Sequence, residues 1–445
     1  MVVASIDLQG GKVVQLRRGS ELVLRRDNAP ALAEEFDRYG EVAVIDLDAA
    51  LGTGSNLDLI KPLLRKAECR VGGGVKTPEQ ARELVSLGAA RIIAGSPVFR
   101  DPAKRGAGMG GGEFAVNRPF LESLAGKIGR ERLIVAVDAR RRVSPAEGSA
   151  GGAASGYEIT VDGWKTPTGL DLIEAAKAVE PFASGLLFTC VDREGTMTGI
   201  DLAPVRALRE AVSCRVTAAG GVSTLEEIET LAALGCDVQL GMALYTGAVP
   251  LAGAFIRSLN WKKLDGGLIP VIAQSPDGQV LMTGYAGEEA LAETFVRGNL
   301  CFHSRTRDRL WMKGEHSGHT LKLIRLRADC DRDALLAVVE PAGPVCHTGD
   351  WSCFGVNRRY TWEYLQSVIL DRFRHPSPGS YTATLDGELV REKILEEAEE
   401  LRAAGTHDEL VWEAADLLYF TTALLSREGI QPGEVLAELD RRRKK

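Results

Sequence analysis

A chain of 445 residues exceeds what a single hydrophobic core accommodates and calls for several domains. At 45% hydrophobic and 26% charged residues its composition is that of a globular protein, and a formal charge of −7 argues against a nucleic-acid-binding surface, the terminal run 441–445 reading as a solvated helix end. No apolar run reaches the roughly 20 residues of a membrane span, and MVVASIDLQGGKVVQL lacks the basic start of a secretory signal. Eight cysteines in 445 residues do not make a disulfide scaffold, and a reducing, cytoplasmic location is expected.

Over the first 260 residues, VVASIDL, EVAVIDLD, CRVGGGV, ARIIAGS, RLIVAVDA, GLLFTCVD, CRVTAAGGV and DVQLGMAL are near-continuous apolar segments, as in strands covered on both faces. Helical stretches such as 78–87 and 225–234 separate them. Eight alternations predict a parallel (β/α)8 barrel. An internal repeat supports it: 73–96 is similar to 220–243, and 45–54 more weakly echoes 190–199. A duplicated half-barrel places equivalent loops on opposite sides of one mouth.

Glycines stand at strand ends in both copies: Gly73, Gly74 and Gly95 with Ser96, then Gly220, Gly221 and Gly241. Backbone amides without a neighbouring Cβ approach an anion closely, and a following helix N-terminus adds a favourable dipole. Two phosphate sites, hence a bisphosphorylated substrate, are expected. Asp7 ends the first strand and Asp138 the fifth, so both should project into the mouth, where paired carboxylates divide acid and base roles. Capping of the next helix is the competing use of each. All six histidines lie beyond residue 300, leaving these aspartates as the acid–base candidates. Residues 101–119 and 144–156 read as loose loops near the mouth.

IDLQGGKVVQL, VGGGV, AGSPVF, AVDAR, AAGGV and GMALYTG resemble the phosphoribosylformimino aminoimidazole carboxamide ribotide isomerases of histidine biosynthesis, over about residues 1–258. The resemblance implies an Amadori rearrangement of the aminoaldose ProFAR to the aminoketose PRFAR, with Asp7 as base, Asp138 as acid and Thr189 assisting. Three alternatives stay open for the barrel: the related cyclase of imidazole glycerol phosphate synthase, a dual isomerase also taking phosphoribosyl-anthranilate, and a non-catalytic scaffold. VVQLRRGS after the first strand favours the isomerase over the cyclase.

From 261 to 358 the pattern changes. An apolar strand, a Pro-Asp-Gly turn and a second strand predict a β-hairpin. In DCDRD, read as extended, Asp329, Asp331 and Asp333 share one side and suit Mg2+, while Cys330 on the other joins Cys346 and Cys353 as thiolates for Zn2+, one coordination position staying open. GYAGEEAL, FHSRTRDRLWMKGEHSGH, DCDRDAL and PVCHTGDWSCF resemble phosphoribosyl-AMP cyclohydrolase. The resemblance implies zinc-assisted hydrolytic opening of an adenine ring, a homodimer through this domain, and substrate contacts from Ser304, Arg305, Trp311, Lys313 and Glu315, with His303 and Ser317 nearby. His319 or His347 is a candidate proton carrier.

Residues 360–445 are strongly helical. Glu396, Glu397 and Glu400 fall at helical spacing, and Glu413 and Asp416 sit at i, i+3 on the next helix, facing the first acids. Acids on an apolar helix repel unless a divalent cation intervenes, so Mg2+ with a pyrophosphate group is expected. PSPGSYTATL, EKILEEAEEL and WEAADLLYF resemble phosphoribosyl-ATP pyrophosphohydrolase, with one departure: Phe420 stands where that family implies histidine. Together the resemblances describe consecutive reactions on phosphoribosyl nucleotides, with no role for nucleic acid or membrane.

Overall fold

In the computed structural model the eight apolar segments are eight strands: β1 Val2–Gln9, β2 Val42–Asp46, β3 Cys69–Gly72, β4 Arg91–Ala94, β5 Leu133–Ala136, β6 Gly185–Thr189, β7 Arg215–Ala219 and β8 Asp237–Leu240. Each runs parallel to its neighbours, and pairing of β8 with β1 (Val2 opposite Val238) closes the ring. The (β/α)8 barrel expected from the sequence is the fold. Residues 1–100, 114–142, 155–355, 357 and 359–443 are described. Most of the two loops at 101–119 and 144–156 lies outside the described residues, although a helix already begins at Arg118.

Outward-facing strand residues such as Val44, Val71, Val135 and Leu186 pack on Leu63, Leu121, Leu172 and Leu231 of the surrounding helices. Ile93, Ile134, Ala136, Leu187 and Ala219 fill the interior. The repeat is visible in the caps. Thr77 and Thr224 begin equivalent helices with capping boxes closed by Gln80 and Glu227.

Two additions escaped the sequence reading. A hairpin, Lys12–Arg17 and Glu21–Arg26, extends antiparallel from β1; its outer strand is nearly all exposed, Leu22 and Val23 included. After β5, strands Ala139–Arg141, Tyr157–Val161 and Thr166–Asp171 form a small antiparallel sheet.

Beyond the barrel, β9 Ile269–Gln274, β10 Val280–Ala286, β11 Leu321–Ala328 and β12 Leu335–Pro341 form a sheet in the order β10-β9-β12-β11, the first two joined by the expected turn. Helices Trp362–Arg374, Gly387–Ala403, His407–Arg427 and Pro432–Arg443 follow. Residues 1–273 with 283–342 form one compact unit, and 274–282 with 343–445 a second. Among the described residues no helix is long and apolar enough to cross a membrane.

Candidate active and metal-binding sites

The strands of a parallel barrel deliver their last side chains to one mouth, and here that mouth is a cavity of about 810 Å3. Asp7, Asp138 and Thr189 line it, as do Gly73, Gly74, Gly95, Ser96, Gly220, Gly221 and Gly241. Every residue singled out in the barrel is thus brought to one place. Gly73 and Gly220 have φ of 90° and 96°, and a Cβ on them would lie 2.2 Å from the Asp46 carbonyl and 2.6 Å from that of Cys190. Only glycine fits these two matching turns.

Asp7 accepts a hydrogen bond from Ser5 Oγ at 2.7 Å, yet burial raises its pKa to about 6. Asp138 is likewise raised by burial, offset by hydrogen bonds from Thr189 and from Trp164 Nε1 at 2.9 Å. A third acid, Glu194, which the sequence alone does not single out, lines the same cavity. Burial, and then the charges of Asp7 and Asp138, raise Glu194 to about 8. Its signal was present in CVDREGTMTG, the repeat copy of IDLDAALGTG, but only tertiary structure turns that acid toward the other two. Trp164, from the small antiparallel sheet, also lines the cavity and has a left-handed φ of 70°.

Around the middle sheet, the antiparallel pair Cys301–Ser304 and Arg309–Met312 sets Phe302 opposite Trp311. Ser304, Arg305, Trp311, Lys313 and Glu315 therefore belong to one hairpin and its exit. The Arg305 guanidinium lies 3.9 Å over the Tyr285 ring, and Glu315 accepts from Met312 N at 3.2 Å. His303 pairs with Asp308 at 3.0 Å.

Asp329, Asp331 and Asp333 offer carboxylate oxygens all within 4.8 Å of one another, a hard-oxygen set that fits Mg2+. They converge differently from the expected extended segment: residues 330–333 form a bend with Arg332 at φ 65°, and Asp329 accepts from Asp333 N at 3.0 Å. Cys346 and Cys353 flank one turn of the second unit. There the Thr348 hydroxyl, donating at 3.0 Å, and the neighbouring Cys353 thiol hold Cys346 below the usual thiol range. Paired, accessible sulfurs of this kind fit a thiophilic metal. Cys330, exposed, belongs to the first unit. His347 lies beside Cys346, its Nδ1 3.8 Å from the sulfur.

In the helical region Glu397, Glu413 and Asp416 converge, ligand atoms again within 4.8 Å. Burial and then Asp416 and Glu400 raise Glu397; burial and then Glu400 raise Glu413, whose Oε2 is buried with no hydrogen-bond partner among the described residues. A buried oxygen of this kind among mutually repelling acids suits a cation-binding site. Glu396 does not join this cluster; it pairs with Lys393 at 2.7 Å, whereas Glu397, 7% exposed and 4.0 Å from the same lysine, is the inward acid. Phe420, 6% exposed, packs edge-on against Tyr381 and Tyr419 in the helical core.

Fold and clusters define a multidomain (β/α)8-barrel protein with acids in its mouth and two further carboxylate centres. The family model described as histidine biosynthesis protein matches residues 1–250, that of phosphoribosyl-AMP cyclohydrolase 282–355, and that of phosphoribosyl-ATP pyrophosphohydrolase 363–443. The chain belongs to the histidine biosynthesis protein family, with the isomerase domain in its barrel and the other two domains following in order. Curated relatives cover its second half. The histidine biosynthesis bifunctional protein HisIE of Xanthomonas campestris is 42% identical over 200 residues, spanning 43% of this chain and 97% of that one. HisIE of Pyrococcus furiosus is 40% identical over 204 residues (42% and 97%), and that of Escherichia coli K12 41% over 196 (42% and 96%).

Proposed function

We propose that one chain catalyses three consecutive steps: hydrolysis of phosphoribosyl-ATP to phosphoribosyl-AMP by 360–445, opening of the adenine ring by 261–358, and isomerisation of ProFAR to PRFAR by 1–258. The observation that carries this reading is the barrel mouth, where acids of different proton affinity stand between two matching glycine turns. The turns hold the two phosphates of an extended substrate. Asp138 protonates the ribose ring oxygen, Thr189 and Trp164 orienting its carboxyl. Asp7, ionised at neutral pH, removes the C2 proton. Glu194 keeps its proton at neutral pH and forms a second source for the ring oxygen.

For ring opening, Cys346 and Cys353 would hold Zn2+, and Asp329, Asp331 and Asp333 Mg2+; zinc would supply Lewis acidity. Arg305, Trp311 and Lys313 bind the nucleotide, and two chains associate through this domain. In the helical domain Glu397, Glu413 and Asp416, with Glu400 beside them, would hold Mg2+, which neutralises the pyrophosphate leaving group.

Purified protein given phosphoribosyl-ATP, with products resolved by chromatography, tests the sequence of steps. PRFAR should form without any glutaminase. Asp138→Asn should slow isomerisation by about 10^2–10^4-fold and let ProFAR accumulate. Equal loss in Glu194→Gln, with Asp138→Asn active, would transfer the acid role to Glu194.

A further inference from the structure

Asp329, Asp331 and Asp333 are held by more than their own sheet. β11 runs into them, and the barrel grips its end. Arg327 donates to the Asp37 carbonyl at 2.6 Å and carboxylate at 2.8 Å, Leu326 N donates to Arg38 O at 2.8 Å, and Asp37 is 4% exposed. Within the acidic bend the Arg332 guanidinium donates to Ala232 O at 2.9 Å and Cys236 O at 3.1 Å. Those carbonyls stand at and just beyond the C-terminal end of the barrel helix Leu225–Ala233, where the helix dipole favours a cation. The Arg332 carbonyl accepts from Asn260 N at 2.8 Å, the Asn260 amide donates to Asp331 O at 3.3 Å, and Lys263 lies 2.6 Å from the Asp331 carboxylate.

Three carboxylates this close repel; Lys263, 2.6 Å from Asp331 and 3.5 Å from Asp333, offsets part of that repulsion, and the backbone of the bend is held from the barrel side. We propose that Arg332 is a positioning residue through which the base of the barrel keeps Asp329, Asp331 and Asp333 in their cation-binding arrangement. This rests on the magnesium reading of those acids. The Arg332 guanidinium is engaged with the two barrel carbonyls, and so fixes the backbone between Asp331 and Asp333. In this fusion the barrel is therefore a structural part of the neighbouring domain's metal centre, and cation binding in turn strengthens the attachment.

The test is Mn2+ binding to the full chain, followed by electron paramagnetic resonance, with Asp331→Asn defining the sites that belong to the bend. Arg332→Met should raise the Mn2+ Kd about tenfold, the loss of roughly 1.4 kcal/mol, while ProFAR isomerisation keeps its KM and reports an intact barrel. Arg332→Lys, which retains a cation at the helix end, should recover part of the affinity. If Arg332→Met does not fold, Arg332→Gln decides on the same criterion. Mn2+ affinity equal to wild type in the folded variant overturns the proposal. Wild-type binding insensitive to Asp331→Asn removes the magnesium reading, and the proposal with it.

Discussion

Ser5 donates to Asp7, Thr189 and Trp164 donate to Asp138, and Glu194 has the charges of both aspartates against it, which spreads the proton affinities of one pocket. With Asp7 at about 6 and Glu194 at about 8, kcat/KM for isomerisation should trace a bell, falling below the first value as the base is protonated and above the second as a proton source is lost. Glu194→Gln should remove the alkaline limb; a retained limb assigns it to another group. The same shift bears on stability. A carboxyl whose folded pKa is raised favours the fold while protonated, and that contribution disappears as pH climbs from the ordinary 4.5 through about 8. Glu194→Gln should therefore raise Tm over wild type at pH 9 and leave it unchanged at pH 4. Asp7 and Asp138 were legible because a strand end fixes where a side chain goes. Glu194 was not, because its turn has no periodicity and its direction is set by residues distant in sequence.

At the scale of elements, the glycine turns were legible for the opposite reason: backbone at positive φ against a neighbouring carbonyl admits one residue type, so the pattern survives duplication. Gly220→Ala should raise the KM for ProFAR with far less effect on the other two reactions, as measured by separate assays. Helical spacing found the acidic face but not its rotation. Glu396 and Glu397 differ by about 100° around the axis, and packing of the helix buries Glu397 while Glu396 stays half-exposed beside Lys393. Phe420 was legible only as a departure. Its buried ring is part of the core, so Phe420→Ala should cost about 3–5 kcal/mol in thermal or denaturant unfolding of the helical unit. Alternation in DCDRD predicts an extended segment; the bend that gathers its acids involves an arginine bonded to carbonyls some 100 residues away.

For the whole molecule, order of domains was readable and their attachment was not: Arg327 on Asp37 joins positions 290 apart. Chelation should abolish the two hydrolytic steps and spare isomerisation, measured with ProFAR supplied directly; loss of all three would sink the division of chemistry among segments. Asp331→Asn should accumulate phosphoribosyl-AMP and Glu413→Gln should leave phosphoribosyl-ATP unconsumed. The paired glycine turns carry one more consequence. Two nearly equivalent anchors would let a molecule with a phosphate at either end enter backwards. What breaks that degeneracy is chemistry the duplication does not copy: Glu194 answers to Ala49 in the other half, and Trp164 stands on one side only. Handedness of entry is thus written in the unmatched residues, and making the halves more alike should produce an enzyme inhibited by its own substrate bound the wrong way round.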